Sequence, residues 1–187
     1  MADNGRIFIF SNVHKYSDNR RYCEALRRLG FTESDTLVFL NTCVPLSHIY
    51  DSSVISKPML VTIHREQCAA WGGGIYYFGE AEVYAIIPQN HTFDTTIYRL
   101  KNDGTISNPY TKTNRCTIQI DEDYPKKKMP TTGYFAIKFA EQYLKGAVVP
   151  VNFYGSDDNS TFKYCKHAWD YEDKFVKSIP TRIFLEE

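Results

Sequence analysis

His167 and Glu172 stand five residues apart in His167-Ala168-Trp169-Asp170-Tyr171-Glu172, an imidazole followed by a carboxylate. Imidazole is the side chain whose unperturbed pKa, about 6.5, suits removal of a proton from a sugar hydroxyl near neutral pH. Upstream, Pro130-Thr131-Thr132-Gly133 opens an amphipathic run and puts two hydroxyls and a glycine where a helix needs its N-cap. The first helical turn has unpaired backbone N–H groups and the positive end of the helix dipole, so Thr131, Thr132 and Gly133 form a candidate seat for an anion. Asn12 and Asn41 each follow an apolar run and add two amides at strand ends. By themselves, a lone histidine is more often structural, and a capped helix more often only a helix. Other patterns fall short. There is no GxSxG, Gly72-Gly73-Gly74 lacks the Lys-Ser/Thr of a phosphate loop, and His64 with Glu66 lacks the second histidine of HExxH. Asp157-Asp158 reads as a solvated turn, so no metal is expected.

The elements that must position these groups follow from periodicity. Phe135, Phe139, Gln142 and Tyr143 fall at helical spacing, with Gly146 expected as the left-handed residue closing the helix. Residues 148–153 read as a buried strand ending in the polar loop Tyr154-Gly155-Ser156-Asp157-Asp158. That loop lies at a strand's carboxyl end, where open α/β sheets bind ligands. At the start of the chain, 6–10 is an unbroken apolar strand, 19–29 an amphipathic helix stopped by Gly30, 35–41 a second strand and 59–64 a third. Shorter strand-like runs follow at 75–78, 83–87, 96–100 and 116–120, with Asn102-Asp103-Gly104 as a hairpin signal. A charged linker, 121–128, ends in Lys126-Lys127-Lys128, which could draw in an anionic ligand. A short helix over 168–176 and a last strand over 182–185 complete an α/β single domain spanning 1–187, a mostly parallel sheet flanked by helices.

Composition narrows the classes. Lys plus Arg and Asp plus Glu both number 22, so overall charge does not argue for nucleic acid or an anionic membrane. Cys23, Cys43, Cys68, Cys116 and Cys165 are odd in number and widely spaced without a CxxC, which fits reduced thiols in a cytoplasmic protein. No window approaches the roughly 18 apolar residues of a membrane span.

Pro130-Thr131-Thr132-Gly133, a helix, an apolar strand ending Phe153-Tyr154-Gly155, then His167 with Glu172, resembles the small and very small sialylmotifs of the animal-type sialyltransferase family. Phe10-Ser11-Asn12 and Val38-Phe39-Leu40-Asn41 with Pro45 are similar, more faintly, to that family's large motif. The resemblance covers the C-terminal part best, and 58–124 matches nothing in it. It departs from the family in lacking the cysteines that join the large and small motifs in luminal members. The aromatic–histidine third motif is reduced to Phe162-Lys163-Tyr164, with Lys163 or Lys166 as substitute cations.

The resemblance implies a Rossmann-like, GT-A-like single-sheet fold and a metal-independent, inverting transfer of an acidic sugar from its CMP conjugate to a saccharide acceptor. By position, His167 would be the general base. Thr131, Thr132 and Gly133 would hold the donor's phosphate or carboxylate, while Asn12 and Asn41 would line the cytidine side. Sialic acid and Kdo are both CMP-activated, and no cofactor beyond the CMP-sugar donor is implied. Two rivals stand beside this reading: a non-catalytic CMP- or sugar-binding module of the same fold, and an unrelated α/β enzyme acting on nucleotides.

Overall fold

Ile7, Phe8, Ile9 and Phe10 are each 2 % exposed or less, so the strand they form is covered on both faces, as strands of parallel sheets are. The computed structural model of the chain describes residues 5–11, 28–30, 32, 34–40, 59–63, 74–78, 82–87, 96–100, 106–110, 114–153 and 167–184. Its architecture is mixed α/β. The strands are β1 (Arg6–Phe10), β2 (Thr36–Leu40), β3 (Met59–Ile63), β4 (Gly74–Phe78), β5 (Glu82–Ile87), β6 (Thr96–Leu100), β7 (Ile106–Tyr110), β8 (Asn114–Thr117) and β9 (Ala147–Val151). Two helices are described, α1 (Thr132–Tyr143) and α2 (Trp169–Lys177). None of the helices among the described residues is long and apolar enough to cross a membrane.

Six strands form one sheet in the order β8-β5-β3-β2-β1-β9, every pairing parallel. The sequence implies a single sheet, but β4, β6 and β7 make a second one, with β4–β6 parallel and β6–β7 antiparallel about the expected hairpin. In the larger sheet the chain steps outward from β1 through β2, β3, β5 and β8, then returns to place β9 on the other side of β1. The strand order therefore reverses between β1 and β9.

α1 lies against this point. Isolated, a 12-residue helix is marginal in water, so packing must hold it. Phe135, Ile137 and Phe139 join Ile7, Ile9, Val38 and Leu40 in the main core, each large side chain contributing about 1.5–3 kcal/mol by burial. Tyr134 points the other way, into a cluster with Tyr124 and Ala168, so α1 is covered by the sheet on one side and by 121–131 and α2 on the other. Thr131 is the N-cap, its Oγ1 accepting from the Tyr134 N–H at 3.1 Å.

The other end of α1 differs from expectation. The helix stops at Tyr143 with Leu144 extended, and Gly146, at φ +151°, serves a close approach instead of a left-handed cap. A Cβ there would fall 2.1 Å from the Gly5 carbonyl oxygen. Gly30 does take the left-handed conformation expected of it, φ +59°. Of the helix expected over 19–29 only its end is described; the rest lies outside the described residues.

The expected last strand contracts to one bridge, Val151 with Ile183. The Ile183 N–H donates to the Pro150 carbonyl at 2.9 Å, the Asn152 N–H donates to the Ile183 carbonyl at 3.0 Å, and the Thr181 hydroxyl donates to the Val148 carbonyl. These bonds line the outer border of β9.

Candidate functional site

Open α/β sheets bind ligands outside the carboxyl ends of their strands where the strand order reverses. Here that position is the junction of β1 and β9. The first residues past the two strands, Ser11 and Asn152, are joined: the Ser11 N–H donates to the Val151 carbonyl at 3.1 Å and its hydroxyl to the Asn152 carbonyl. Asn152 is 3 % exposed and holds φ +56°. Among non-glycine residues asparagine bears that left-handed conformation best, at about 1 kcal/mol. Phe153, next in the chain, lays its ring on Gly133: a Cβ added there would be 2.7 Å from Phe153 Cε1. The start of α1 and the carboxyl end of β9 therefore meet.

His167 lies at the same end. Its Nδ1 is 2.6 Å from the carbonyl oxygen of Met129, two residues before the α1 cap. A carbonyl only accepts, so Nδ1 carries the proton, and the basic lone pair of the neutral ring is on Nε2. The ring is 8 % exposed and stands edge-on to Trp169, with centroids 5.5 Å apart.

Glu172, one turn into α2, is 6 % exposed and joins the pieces. Its Oε1 accepts from the Tyr124 hydroxyl at 2.7 Å and the Thr131 N–H at 3.0 Å, while Oε2 accepts from the Thr131 hydroxyl. Burial pushes the Glu172 carboxyl above its ordinary value, opposed by the Thr131 and Tyr124 bonds and by His167. Burial, then Glu172 itself, pushes the Tyr124 hydroxyl far up. Two more hydroxyls bind the preceding segment in the same way. Tyr134 donates to Asp121 Oδ2 and Tyr171 to Asp123 Oδ1, both at 2.6 Å, and Lys138 Nζ lies 2.9 Å from Asp121 Oδ1. Burial acts to raise the Asp121 carboxyl, but Tyr134 and Lys138 outweigh it and hold it below the usual value.

Thus the structure brings Thr131, Thr132, Gly133 and His167 to one end of the sheet. It gives them neighbours the sequence does not announce. Thr131, expected to hold a donor anion, directs both its hydroxyl and its amide at Glu172, and Thr132 and Gly133 are buried. Asn12, Asn41, the loop 154–158, Phe162-Lys163-Tyr164 and Lys166 lie outside the described residues. Sequence reasoning missed Tyr124, whose partner is 48 positions away, and Asn152.

The buried carboxylate carries a pH signature. Glu172 titrates higher folded than at its unfolded value of 4.5, so its contribution to stability is fully present below that value and lost as pH rises through the folded one. Relative to Glu172→Gln, wild type should lose stability as pH rises above 4.5. Urea midpoints of the two proteins from acid to neutral pH check the sign; parallel curves would refute it.

Compared with known proteins, the chain matches no family model, no curated protein and no solved structure.

Proposed function

We propose that this chain is a metal-independent, inverting glycosyltransferase that moves sialic acid or a related acidic sugar such as Kdo from its CMP conjugate to a saccharide acceptor. It would act in cytoplasmic assembly of a polysaccharide, on a Rossmann-like, GT-A-like single domain. The observation that carries this reading is the His167 Nδ1 contact with the Met129 carbonyl at 2.6 Å, beside the cap of α1. It makes Nε2 the basic atom of a ring fixed next to a helix N-terminus at the reversal of strand order.

In the reaction, Nε2 takes the proton of the acceptor hydroxyl as that oxygen attacks the anomeric carbon of the acidic sugar. The bond from that carbon to the phosphate oxygen breaks with its electron pair, and CMP leaves. Helix-end amides and neutral donors can stabilise the departing phosphate. With Thr131 committed to Glu172, that contact falls to the amides of Thr132 and Gly133, reached past Phe153, with Asn12 and Asn41 on the cytidine side.

A specific observation favours a second reading, a CMP- or sugar-binding module without turnover: the protein's own Glu172 carboxyl already takes the amide and hydroxyl of Thr131, the cap residue of α1. Calorimetric titration with CMP and its sugar conjugates, beside a transfer assay, separates the readings. The enzyme reading expects His167→Ala to bind CMP nearly as wild type does and to lose transfer by about a hundredfold or more. Wild type that binds CMP but neither transfers nor hydrolyses the donor belongs to the second reading. Wild type that does not bind CMP refutes both and leaves an unrelated nucleotide-acting enzyme.

A further inference from the structure

We infer that Tyr124 is a positioning residue for His167, fixing the Glu172 carboxyl that joins the backbone on both sides of the imidazole so that the ring's proton stays on Nδ1. Its bearing on catalysis rests on the glycosyltransferase reading; its bearing on the ring does not.

The Tyr124 hydroxyl donates to Glu172 Oε1 at 2.7 Å, and the same oxygen accepts the Thr131 N–H at 3.0 Å. Thr131 is two residues beyond Met129, whose carbonyl receives the Nδ1 proton at 2.6 Å. On the other side, Glu172 stands in the first turn of α2, where its N–H donates at 2.9 Å to the carbonyl of Ala168, the residue after His167. The carboxyl that this phenol helps to fix therefore ties the segment that supplies the acceptor to the segment that supplies the ring. The tyrosine is itself immobilised. Its ring packs against Tyr134 with centroids 5.1 Å apart and edge-on to Tyr171 at 5.0 Å, and turns at Asp121–Tyr124 and Pro125–Lys128 fix the backbone around it. Losing the hydroxyl leaves Glu172 held by its Thr131 bonds alone while the ring contacts remain, so the two effects can be separated.

If the carbonyl drifts, the imidazole can take the alternative tautomer, with its proton on Nε2 and no base facing an acceptor. A misplacement of about 1 Å in a catalytic group costs up to a hundredfold in rate. Tyr124→Phe is the test, with circular dichroism as control for folding. Nitrogen-15 spectra of the histidine rings are expected to show His167 protonated at Nδ1 in wild type and a mixture of tautomers in the variant. Transfer should fall about tenfold in kcat, with the KM for the CMP-sugar unchanged. A folded Tyr124→Phe that keeps the wild-type tautomer overturns the inference. If wild type shows no transfer, the glycosyltransferase reading falls, and the spectra still decide the positioning role. Should Tyr124→Phe fail to fold, Glu172→Gln and Glu172→Ala replace it. Glutamine keeps an acceptor for Tyr124 and Thr131 and should retain the tautomer, whereas alanine should lose it; an alanine variant with the wild-type ring spectrum overturns the inference equally.

Discussion

Gly5→Ala is expected to destabilise the protein by about 3 kcal/mol or more, a large part of the roughly 5–15 kcal/mol that holds a typical domain together. An added Cβ would sit 1.8 Å from the carbonyl oxygen of Ser34 and 2.3 Å from its carbon. Both are backbone atoms at the entrance to β2, so no side-chain rotation relieves the clash. Moving the backbone would disturb the pairing of β1 with β2, and the Gly5 carbonyl also receives the Ala147 N–H at 3.2 Å at the start of β9. Three strands, β1, β2 and β9, meet at this glycine. Gly30 supplies the contrast: it has φ +59°, but a methyl group added to it would have nothing within 4 Å. Gly30→Ala should therefore cost only about 1 kcal/mol, from its conformation alone. Urea unfolding measures both, and similar midpoints for the two variants would contradict the close approach.

Arg6→Ala should cost about 2–3 kcal/mol, and the loss should change how stability depends on acid. The Asp35 side chain is 2 % exposed and lies 2.6 Å from the Arg6 guanidinium, which is itself 39 % exposed. Asp35 also accepts the Arg6 and Thr32 N–H groups, each at 2.8 Å, so removing the guanidinium leaves a buried charge with two amides. Solvent around the arginine head places the expected cost below the roughly 3–5 kcal/mol of a fully buried pair. The Arg6 side-chain bond, followed by the opposing effect of burial, holds the Asp35 carboxyl well below its ordinary 3.8. A depressed folded value gives stability present above the unfolded value and lost as pH falls, so wild type should weaken below about pH 4. Arg6→Ala should show a shallower loss. Denaturation midpoints between about pH 2.5 and pH 7 test this, and equal acid slopes would refute the pairing as their source.

Both effects sit at the amino ends of β1 and β2, opposite the end that carries His167. What the sequence reveals of each end follows from the range of the interactions. Unbroken apolar runs mark β1, β2, β3 and β9, and a proline-threonine start with helical spacing marks α1, because burial on one or two faces is a local property of the chain. β7 escapes this reading. Its sequence ISNPY carries Pro109 and Asn108, which resemble a turn, but it lies at the border of its three-stranded sheet, where a proline is tolerated. Gly146 reads as an ordinary helix stop, since nothing nearby reveals that Gly5 comes to rest against it. His167 and the threonines can be singled out by type and order. The bond from Nδ1 to the Met129 carbonyl, 38 positions away, and the Tyr124–Glu172 bond cannot, because only the packing of α1 between the sheet and α2 brings those groups together.

The segment 181–183 along β9 bears on how the molecule avoids sticking to its own copies. In a parallel pairing the N–H and C=O of one residue face the same neighbour, and at Pro150 that side is outward, where its carbonyl already takes the Ile183 proton. Proline has no proton to offer there, and the carbonyl of Val148 and the backbone N–H of Asn152 are likewise engaged. A foreign strand arriving beside Pro150 and Asn152 would find the Pro150 carbonyl and the Asn152 N–H already taken, so strand addition there must first displace the segment 181–183.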